Sequence, residues 1–127
     1  MRRMDVRIKA TGFQLTPDVG AYLDSRLTHL EKMLGDGATL ARCEVELGRD
    51  AGRPRHGANI WFAEVTIKAP GGIRARARNN SESINGAIDD VKDEVERQLR
   101  SEKRLHMRVL RKTGAAIKRW MKFGRAD

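Results

Sequence analysis

The stretch NIWFAEVTIKAPGGIRARARN, residues 59–79, decides the fold of this chain. Apolar residues occupy alternate positions on both sides of the central Pro70-Gly71-Gly72. Alternation with a period of two is typical of a half-buried strand, and a Pro-Gly-Gly sequence is typical of a tight turn. The stretch therefore predicts a β-hairpin with strands over Asn59–Ala69 and Ile73–Asn79.

The two faces of this hairpin differ in chemistry. One face is apolar, with Trp61, Ala63, Val65 and Ile67 on the first strand and Ile73, Ala75 and Ala77 on the second. The other face of the second strand carries Arg74, Arg76 and Arg78. We expect the apolar face to cover the core. These three arginines have two explanations of comparable weight. They can form an exposed sheet face whose charge prevents other sheets from stacking on it, or they can form a binding surface.

A further strand precedes the hairpin. Residues 42–47, RCEVEL, alternate between charged and small or apolar side chains, which predicts a strand with one buried face. Residues 48–58 contain three glycines and a proline, which predicts a long exposed loop. Three consecutive strands followed by a helix are typical of an antiparallel meander with helices on one face.

The chain begins with a strand and a helix. Alternating apolar residues from Val6 to Ala10 predict the strand, and Gly12 ends the pattern. Thr16 before Pro17 is typical of a helix start, because the Thr side chain accepts bonds from free N–H groups. Apolar residues then follow at spacings of three or four as far as Leu34. They predict a helix with one buried stripe that ends at Gly35.

A second helix follows the hairpin, with Ser81 or Ser83 as its cap. Its predicted buried stripe consists of Ile84, Ile88, Val91, Val95 and Leu99. Acidic residues on its other faces predict a solvated helix surface for Asp89, Asp90 and Asp93, with pairs Asp93–Arg97 and Glu96–Arg100. The fold class is therefore α+β: β-α-β-β-β-α over residues 1–104, with a four-stranded sheet and both helices packed on one face.

Positive charge is concentrated at the C-terminal end. The whole chain has a formal charge of +9, and residues 101–127 contain nine Lys/Arg and two acidic residues, so they contribute +7. Such asymmetry is typical of a surface for nucleic acid or anionic lipid. Neither an apolar secretion signal at the N-terminus nor a run near the ~20 apolar residues of a membrane span is visible.

Residues 105–127 are predicted to form a basic amphipathic helical extension. On a helix, the large apolar residues Leu105, Val109, Trp120 and Phe123 fall on one side, and most of the Lys and Arg residues fall on the other. A helix of this kind can lie on an anionic membrane. It can equally dock its apolar side on protein and present its basic side to RNA.

Catalytic chemistry is not expected. His29, His56 and His106 have no partner at metal-ligand or triad spacing, so no metal site is predicted. Cys43 is the single cysteine and alternates with apolar residues, which predicts a buried structural thiol. No glycine-rich phosphate loop is present. We therefore expect no enzyme activity, no cofactor and no small-molecule substrate.

Several short motifs, in order, resemble those of the ribosome hibernation promoting factors, also called ribosome-associated inhibitors or sigma-54 modulation proteins. They are IKATG (8–12), LTP (15–17), RLTHLEK (26–32), AID (87–89), ERQLR (96–100) and Lys103. The resemblance covers residues 5–104. Glu94, Asn85 and His29 depart from residues that are common in the family.

This resemblance implies a fold similar to double-stranded-RNA-binding domains. It also implies a short-form factor that binds the small ribosomal subunit and its rRNA in the decoding region, overlapping the mRNA and tRNA sites, and silences translation. Carried over by position, the rRNA-binding residues are Arg26, His29, Lys32, Arg97, Arg100, Lys103 and Arg104. The basic side of the extension, with Arg108, Arg111 and Lys112, is expected to enlarge this surface.

Two other functions remain open from the sequence. One is a membrane-surface or protein-docking module that acts through the basic extension, and the other is a generic double-stranded-RNA-binding protein. With the hibernation factor as the leading hypothesis, we expect a cytoplasmic monomer. It would contact ribosomal proteins through the extension, would not bind a membrane, and would not join two ribosomes through a C-terminal dimerisation domain.

Overall fold

Four strands and two long helices make up the computed structural model, which describes residues 3–50 and 59–112, with side chains as far as residue 108. In chain order they are β1 (Asp5–Thr11), α1 (Pro17–Leu34), β2 (Arg42–Arg49), β3 (Trp61–Ala69), β4 (Ile73–Ser81) and α2 (Ile84–Lys112). Short 3-10 segments, Gly35–Leu40 and Pro70–Gly72, precede β2 and β4. The predicted order β-α-β-β-β-α is confirmed.

The sheet has the strand order β1-β2-β3-β4. Strands β2, β3 and β4 are antiparallel neighbours, which confirms the meander and the hairpin turn at Pro70–Gly72. Strand β1 pairs with β2 in parallel, and α1 forms the crossover between them. A parallel pair needs such a long connection, because the chain must return to the same end of the sheet.

The core lies between one face of the sheet and the two helices. Cys43, Ile67 and Ala75 are opposite one another across β2, β3 and β4, and all three are buried. Leu27 of α1 and Val95 of α2 represent the two helical stripes that cover them. Burial also raises the pKa of the Cys43 thiol to about 12, as expected for a structural cysteine.

Side-chain caps fix where both helices begin. Thr16 Oγ1 accepts a hydrogen bond from the backbone N–H of Val19 at 3.3 Å. Ser83 Oγ accepts one from the N–H of Gly86 at 3.0 Å, so Ser83 rather than Ser81 caps α2. Each bond satisfies one of the N–H groups that a helix leaves free at its start. The caps therefore set the positions from which the helical faces are counted.

The loop predicted over residues 48–58 begins later than expected, because β2 continues through Arg49. Gly48 is buried, and the ring of Phe62 on β3 lies against its backbone. Phe62 belongs to the outer face of the sheet, yet only 3% of it is exposed, since the Arg78 guanidinium lies 3.8 Å from its ring centroid. Residues 51–58 of the predicted loop are outside the described residues.

Helix α2 runs without interruption across the predicted domain boundary at 104/105. Residues 105–112 thus continue the same helix, and Leu105 and Met107 on it are 55% and 50% exposed. The rest of the predicted amphipathic extension, residues 113–127, lies outside the described part of the chain. Across residues 3–50 and 59–112, neither helix combines the length and apolarity that a bilayer span requires.

Candidate nucleic-acid interface

Helices α1 and α2 lie side by side and run in the same direction. Three side-chain contacts join them at successive levels: Tyr22 with Asp89, His29 with Glu96, and Lys103 with Met33. Residue numbers rise together on both helices along this series, so both helices end at the same end of the molecule. Their solvent-facing sides therefore form one surface, which we call the helical surface.

The first contact is a cluster of Tyr22, Arg26 and Asp89. The Tyr22 hydroxyl donates to the Asp89 carboxylate at 2.7 Å, and Arg26 Nε donates to the same carboxylate at 2.9 Å. Arg26 Nη2 also donates to the Tyr22 hydroxyl oxygen at 2.8 Å. These bonds, that of Tyr22 first, lower the pKa of Asp89. The prediction of a solvated Asp89 is wrong: it is half-buried and holds α1 to α2.

The second contact centres on Glu96. Its Oε1 atom lies 2.5 Å from His29 Nε2 and 3.4 Å from Lys92 Nζ, and its Oε2 atom lies 3.6 Å from Arg100 Nη2. Burial favours a higher pKa of Glu96, but the bond to His29 and the charge of Lys92 together lower it. One carboxylate thus holds three basic side chains beside the groove between the helices, and the predicted Glu96–Arg100 pair is confirmed.

The third contact is at the end of α1. Lys103 Nζ donates to the backbone carbonyl of Met33 at 2.6 Å. The last carbonyls of a helix have no partner within it and carry partial negative charge, so a lysine there stabilises the helix end. Lys103 is still exposed, so its remaining two N–H groups can reach a ligand.

Arg97 is paired within α2. Its Nε and Nη2 atoms donate to the Glu94 carboxylate, the Nε bond at 3.1 Å, and this lowers the pKa of Glu94. Asp93 instead lies 3.5 Å from Lys92. The predicted Asp93–Arg97 pair is therefore wrong, because the bidentate contact with Glu94 at i−3 replaces it.

The remaining predicted cations are more open. Within the described residues, no carboxylate forms an ion pair with Lys32, Arg104 or Arg108, and all three are exposed. On a helix of 3.6 residues per turn, the backbone positions of Arg97, Arg100, Arg104, Arg108 and Arg111 fall on one side of α2. The side chains of Arg111 and Lys112 lie outside the described residues.

Sequence patterns alone did not identify Asp89 and Glu96 as the two acidic residues that hold the basic side chains of this surface in place. A signal for them exists: Tyr22 and His29 are seven residues apart on α1, as are Asp89 and Glu96 on α2. Seven residues are close to two helical turns, so both pairs repeat along one face of their helix. Because both helices were expected on the same face of the sheet, the equal spacing of these two pairs would have indicated two contacts between α1 and α2.

Comparisons with known proteins agree with this architecture. The family model described as "Sigma 54 modulation protein / S30EA ribosomal protein" matches residues 6–106. The fold resembles the Thermus thermophilus Protein Y N-terminal domain, with a TM-score of 0.60 and 24% identity over 76% of this chain and 96% of that one. It also resembles a ribosomal subunit interface protein from Coxiella burnetii, with a TM-score of 0.61 and 14% identity over 79% of this chain and 98% of that one.

No curated protein sequence matches the chain significantly. Both structural likenesses are at low identity, so they show the fold alone. The family match, over residues 6–106, includes α1, nearly the whole sheet, most of α2 and the three contacts between the helices, and it confirms the resemblance found in the sequence motifs. The chain therefore belongs to the sigma 54 modulation protein / S30EA ribosomal protein family.

Proposed function

We propose that this protein binds the small ribosomal subunit through rRNA in the decoding region, overlaps the mRNA and tRNA sites, and silences translation. The observation that carries the proposal is the helical surface, where Lys32 of α1 and Arg104 and Arg108 of α2 are exposed without an acidic partner in the described residues. In a member of a ribosomal protein family, rRNA is the polyanion that this surface fits best.

The chemistry of the surface favours phosphate contacts over base recognition. Arg and Lys side chains that project from a convex pair of helices reach the backbone of folded RNA, whereas sequence reading in RNA mostly uses stacking on exposed aromatic rings. Tyr22 is the aromatic residue of this surface, and its ring is already covered by Arg26 at 4.4 Å from the centroid. We therefore expect recognition of rRNA shape and charge.

The paired basic side chains have a positioning role in this proposal. Arg26 and His29 are each held by a carboxylate of α2, so they enter the interface in fixed places. Arg97 and Arg100 are also paired but remain more than half exposed, at 73% and 61% of their side-chain surface. Their outward N–H groups can bind phosphate without breaking the helix pair.

Co-sedimentation with small ribosomal subunits over a salt series tests the proposal. Each neutralised phosphate contributes about 0.7 to 0.9 to the slope of log affinity against log salt. The double variant Arg104→Gln/Arg108→Gln should bind more weakly and with a slope smaller by about 1.4 to 1.8. The matched control Arg7→Gln/Lys9→Gln removes the same charge from the outer face of β1 and should bind normally.

Absence of wild-type binding at low salt would refute the proposal. A bare RNA duplex that competes as well as the subunit would favour a generic double-stranded-RNA binder. Addition of the protein to a translation extract should reduce initiation, and excess mRNA should compete for the subunit if the sites overlap. Cytoplasmic location, the monomeric state and the lack of catalysis are parts of the same proposal.

A half-exposed apolar side chain favours a protein contact near the end of α2. Leu105 is large and 55% exposed, and it lies on the side of the helix that carries the apolar residues of the predicted extension, whereas Met107 lies about 200° around the helix from it. On the subunit we expect this partner to be a ribosomal protein. The membrane alternative would be supported by two results together. A peptide of residues 104–127 would bind anionic vesicles, and in the full chain the same segment would not contact the small subunit.

A further inference from the structure

Three cations form a line across the outer face of the sheet, on the side away from the helices. Arg42 of β2 is opposite Lys68 of β3, and Lys68 is opposite Arg74 of β4. Each is exposed. Neighbouring strands are about 4.8 Å apart, so the line, here called the sheet row, extends about 10 Å. The sequence shows an arginine series along β4, but only the strand register shows this row across three strands.

The sheet row is unfavourable for the protein on its own. Like charges that lie directly opposite on neighbouring strands destabilise a sheet. By register Asp5 of β1 is opposite Arg42, but it lies 4.0 Å from Arg7 and forms no ion pair with the row, and Glu44 forms none either. With Asp5 included, the four positions carry a net charge of +2, and such an excess is expected where a ligand supplies the opposite charge.

The other arginines of β4 differ from Arg74. Arg76 Nη2 lies 3.4 Å from Glu64, and Arg78 Nη2 lies 3.5 Å from Asp50 while its guanidinium covers Phe62. These two side chains are therefore used within the sheet. Arg74 has no such partner in the described residues and belongs with Arg42 and Lys68, so one arginine of the series is unpaired there and two are used within the sheet.

Charge on the outer face is concentrated at one end. In the next two rows, Arg7 is beside Glu44 and Lys9 is beside Glu46, so acids and bases compensate there. The depression beside Lys68 and Arg74 has a volume of about 590 Å³ and is also lined by Thr66, Gln98, Arg76 and two carboxylates, Glu44 and Glu64, of which Glu64 is paired with Arg76. It is shallow and open, which suits a chain of phosphates that passes over it better than an enclosed small molecule.

This positive end is the end at which both helices finish. The turn Pro70–Gly72 separates Lys68 from Arg74, and the His106 ring of α2 lies so close to Gly71 that a Cβ there would be 3.1 Å from His106 Cε1. His106 is two residues from both Arg104 and Arg108, which is about 200° around α2, so the two arginines lie on the side of the helix away from the turn. The sheet row and the helical surface therefore reach the same end of the molecule from opposite sides, with α2 and the β3–β4 turn between them.

We propose that the sheet row is a second phosphate-binding site, and that an RNA strand on the helical surface continues around the β3–β4 turn to reach it. This inference rests on the proposed function for the identity of the RNA. The row has no apolar side chain among its members, and stable protein contacts are usually built on buried aromatic or apolar anchors. An acidic protein segment therefore fits it less well than a phosphate backbone.

The first test compares two double variants of equal charge. Lys68→Gln/Arg74→Gln should weaken binding to small ribosomal subunits and reduce the log–log salt slope by about 1.4 to 1.8, because two phosphate contacts are lost. The control Arg7→Gln/Lys9→Gln lies on the same sheet face and should change neither. If both variants keep the wild-type affinity and slope, the sheet row does not bind phosphate.

The second test locates the partner chemically. A photoreactive group attached through Lys68→Cys should cross-link to rRNA, and the same group attached through Lys9→Cys should not. Cys43 is fully buried, so only the introduced thiol reacts in the folded protein. Cross-links confined to ribosomal proteins would overturn the assignment to RNA.

The two proposals fail in different ways. If the wild type binds subunits but the sheet-row variant is indistinguishable from its control, only this inference fails. If the wild type does not bind subunits, the proposed function fails. Binding of a single-stranded RNA oligonucleotide to the sheet row, followed by NMR, then tests this inference by itself. In that measurement the amide NMR signals of Lys68 and Arg74 should shift while those of Arg7 and Lys9 stay fixed; equal or absent shifts would overturn the inference.

Discussion

The backbone N–H of Met4 donates a hydrogen bond to Glu31 Oε2 at 2.6 Å, inside the hydrophobic core. Glu31 is the buried charged residue of α1, at 4% exposure, and Arg3 Nε lies 3.7 Å from its carboxylate. This contact fixes the start of β1 to the last turn of the helix that follows it. The parallel β1–β2 pair depends on that attachment, because β1 is an edge strand with one neighbour.

We predict that Glu31→Ala lowers the free energy of unfolding by about 1 to 3 kcal/mol, because the Met4 N–H remains buried without a partner. Urea unfolding followed by circular dichroism measures the change. The control Glu44→Ala removes an exposed carboxylate from β2 and should change stability by less than about 0.5 kcal/mol. A loss for Glu31→Ala no larger than that of the control would contradict the assigned role.

A methyl group at Gly48 should destabilise the protein by about 1 to 3 kcal/mol through overpacking. A Cβ at this position would lie 2.4 Å from the Phe62 ring and 2.9 Å from the backbone oxygen of Thr11. Gly20 of α1 provides the opposite case, since nothing lies within 4 Å of its Cβ position. Gly20→Ala should stabilise the helix by about 0.5 to 1 kcal/mol.

Thermal unfolding of both glycine variants checks these opposite signs. The double variant Gly48→Ala/Phe62→Leu should recover part of the loss, because the smaller side chain vacates the space that the methyl group needs. If Gly48→Ala and Gly20→Ala shift the melting temperature in the same direction, the close approach of Phe62 to β2 is not the reason that position 48 requires glycine.

The Asp89 cluster predicts a specific acid sensitivity. The hydrogen bonds from Tyr22 and Arg26 lower the pKa of Asp89 in the folded state. The unfolded state therefore binds a proton more readily, so this contribution to stability is fully present above the unfolded pKa and is lost as pH falls through the folded pKa. The Asp89 side chain is 45% exposed, so we expect a contribution of at most about 1 kcal/mol.

Unfolding measured between pH 7 and pH 2.5 tests this expectation with Asp89→Asn. The variant should be less stable than wild type at pH 7, and the difference should shrink as the pH falls. Asp90→Asn, next in sequence and exposed, serves as the control and should follow the wild-type curve. A constant difference across the range would show that the effect of Asp89→Asn does not come from the charged carboxylate.

Glu96→Gln should strengthen binding to the small subunit. Its carboxylate lies among His29, Lys92 and Arg100, where it holds these basic side chains but also repels a phosphate backbone. Removal of the charge should raise affinity severalfold at low salt, and the advantage should decline as salt screens it. The binding assay with Asp90→Asn as a charge-matched control measures this; weaker binding by Glu96→Gln would show that positioning outweighs repulsion.

The sequence predicted the elements well because local patterns dominate them. The alternation around Pro70–Gly72, the caps at Thr16 and Ser83 and the two helical stripes each depend on residues close in the chain. Strand β2 was predicted too short because Gly48 was interpreted as a breaker. Its role is to accept the ring of Phe62, a residue fourteen positions away, and that approach has no local signal.

The candidate site was predictable only in part for the same reason. Basic residues on each helix could be identified from the sequence, but their partners are on the other helix: Asp89 for Arg26 and Glu96 for His29. Contacts of this kind are separated by more than sixty residues. The row of Arg42, Lys68 and Arg74 likewise depends on strand register, which a one-residue shift would abolish.

Because α2 continues across residue 104, residues 105–112 are held at a fixed distance and direction from the core. Leu99 is the last buried residue of α2 as far as residue 108, where the described side chains end, and at 1.5 Å per residue Lys112 lies about 20 Å farther along the axis. A helix holds that distance and direction, whereas a flexible linker of equal length would sample many. Whatever residues 105–112 contact is therefore set at a fixed span from the core, and inserting or deleting one residue between Leu99 and Lys112 would rotate that contact by about 100°.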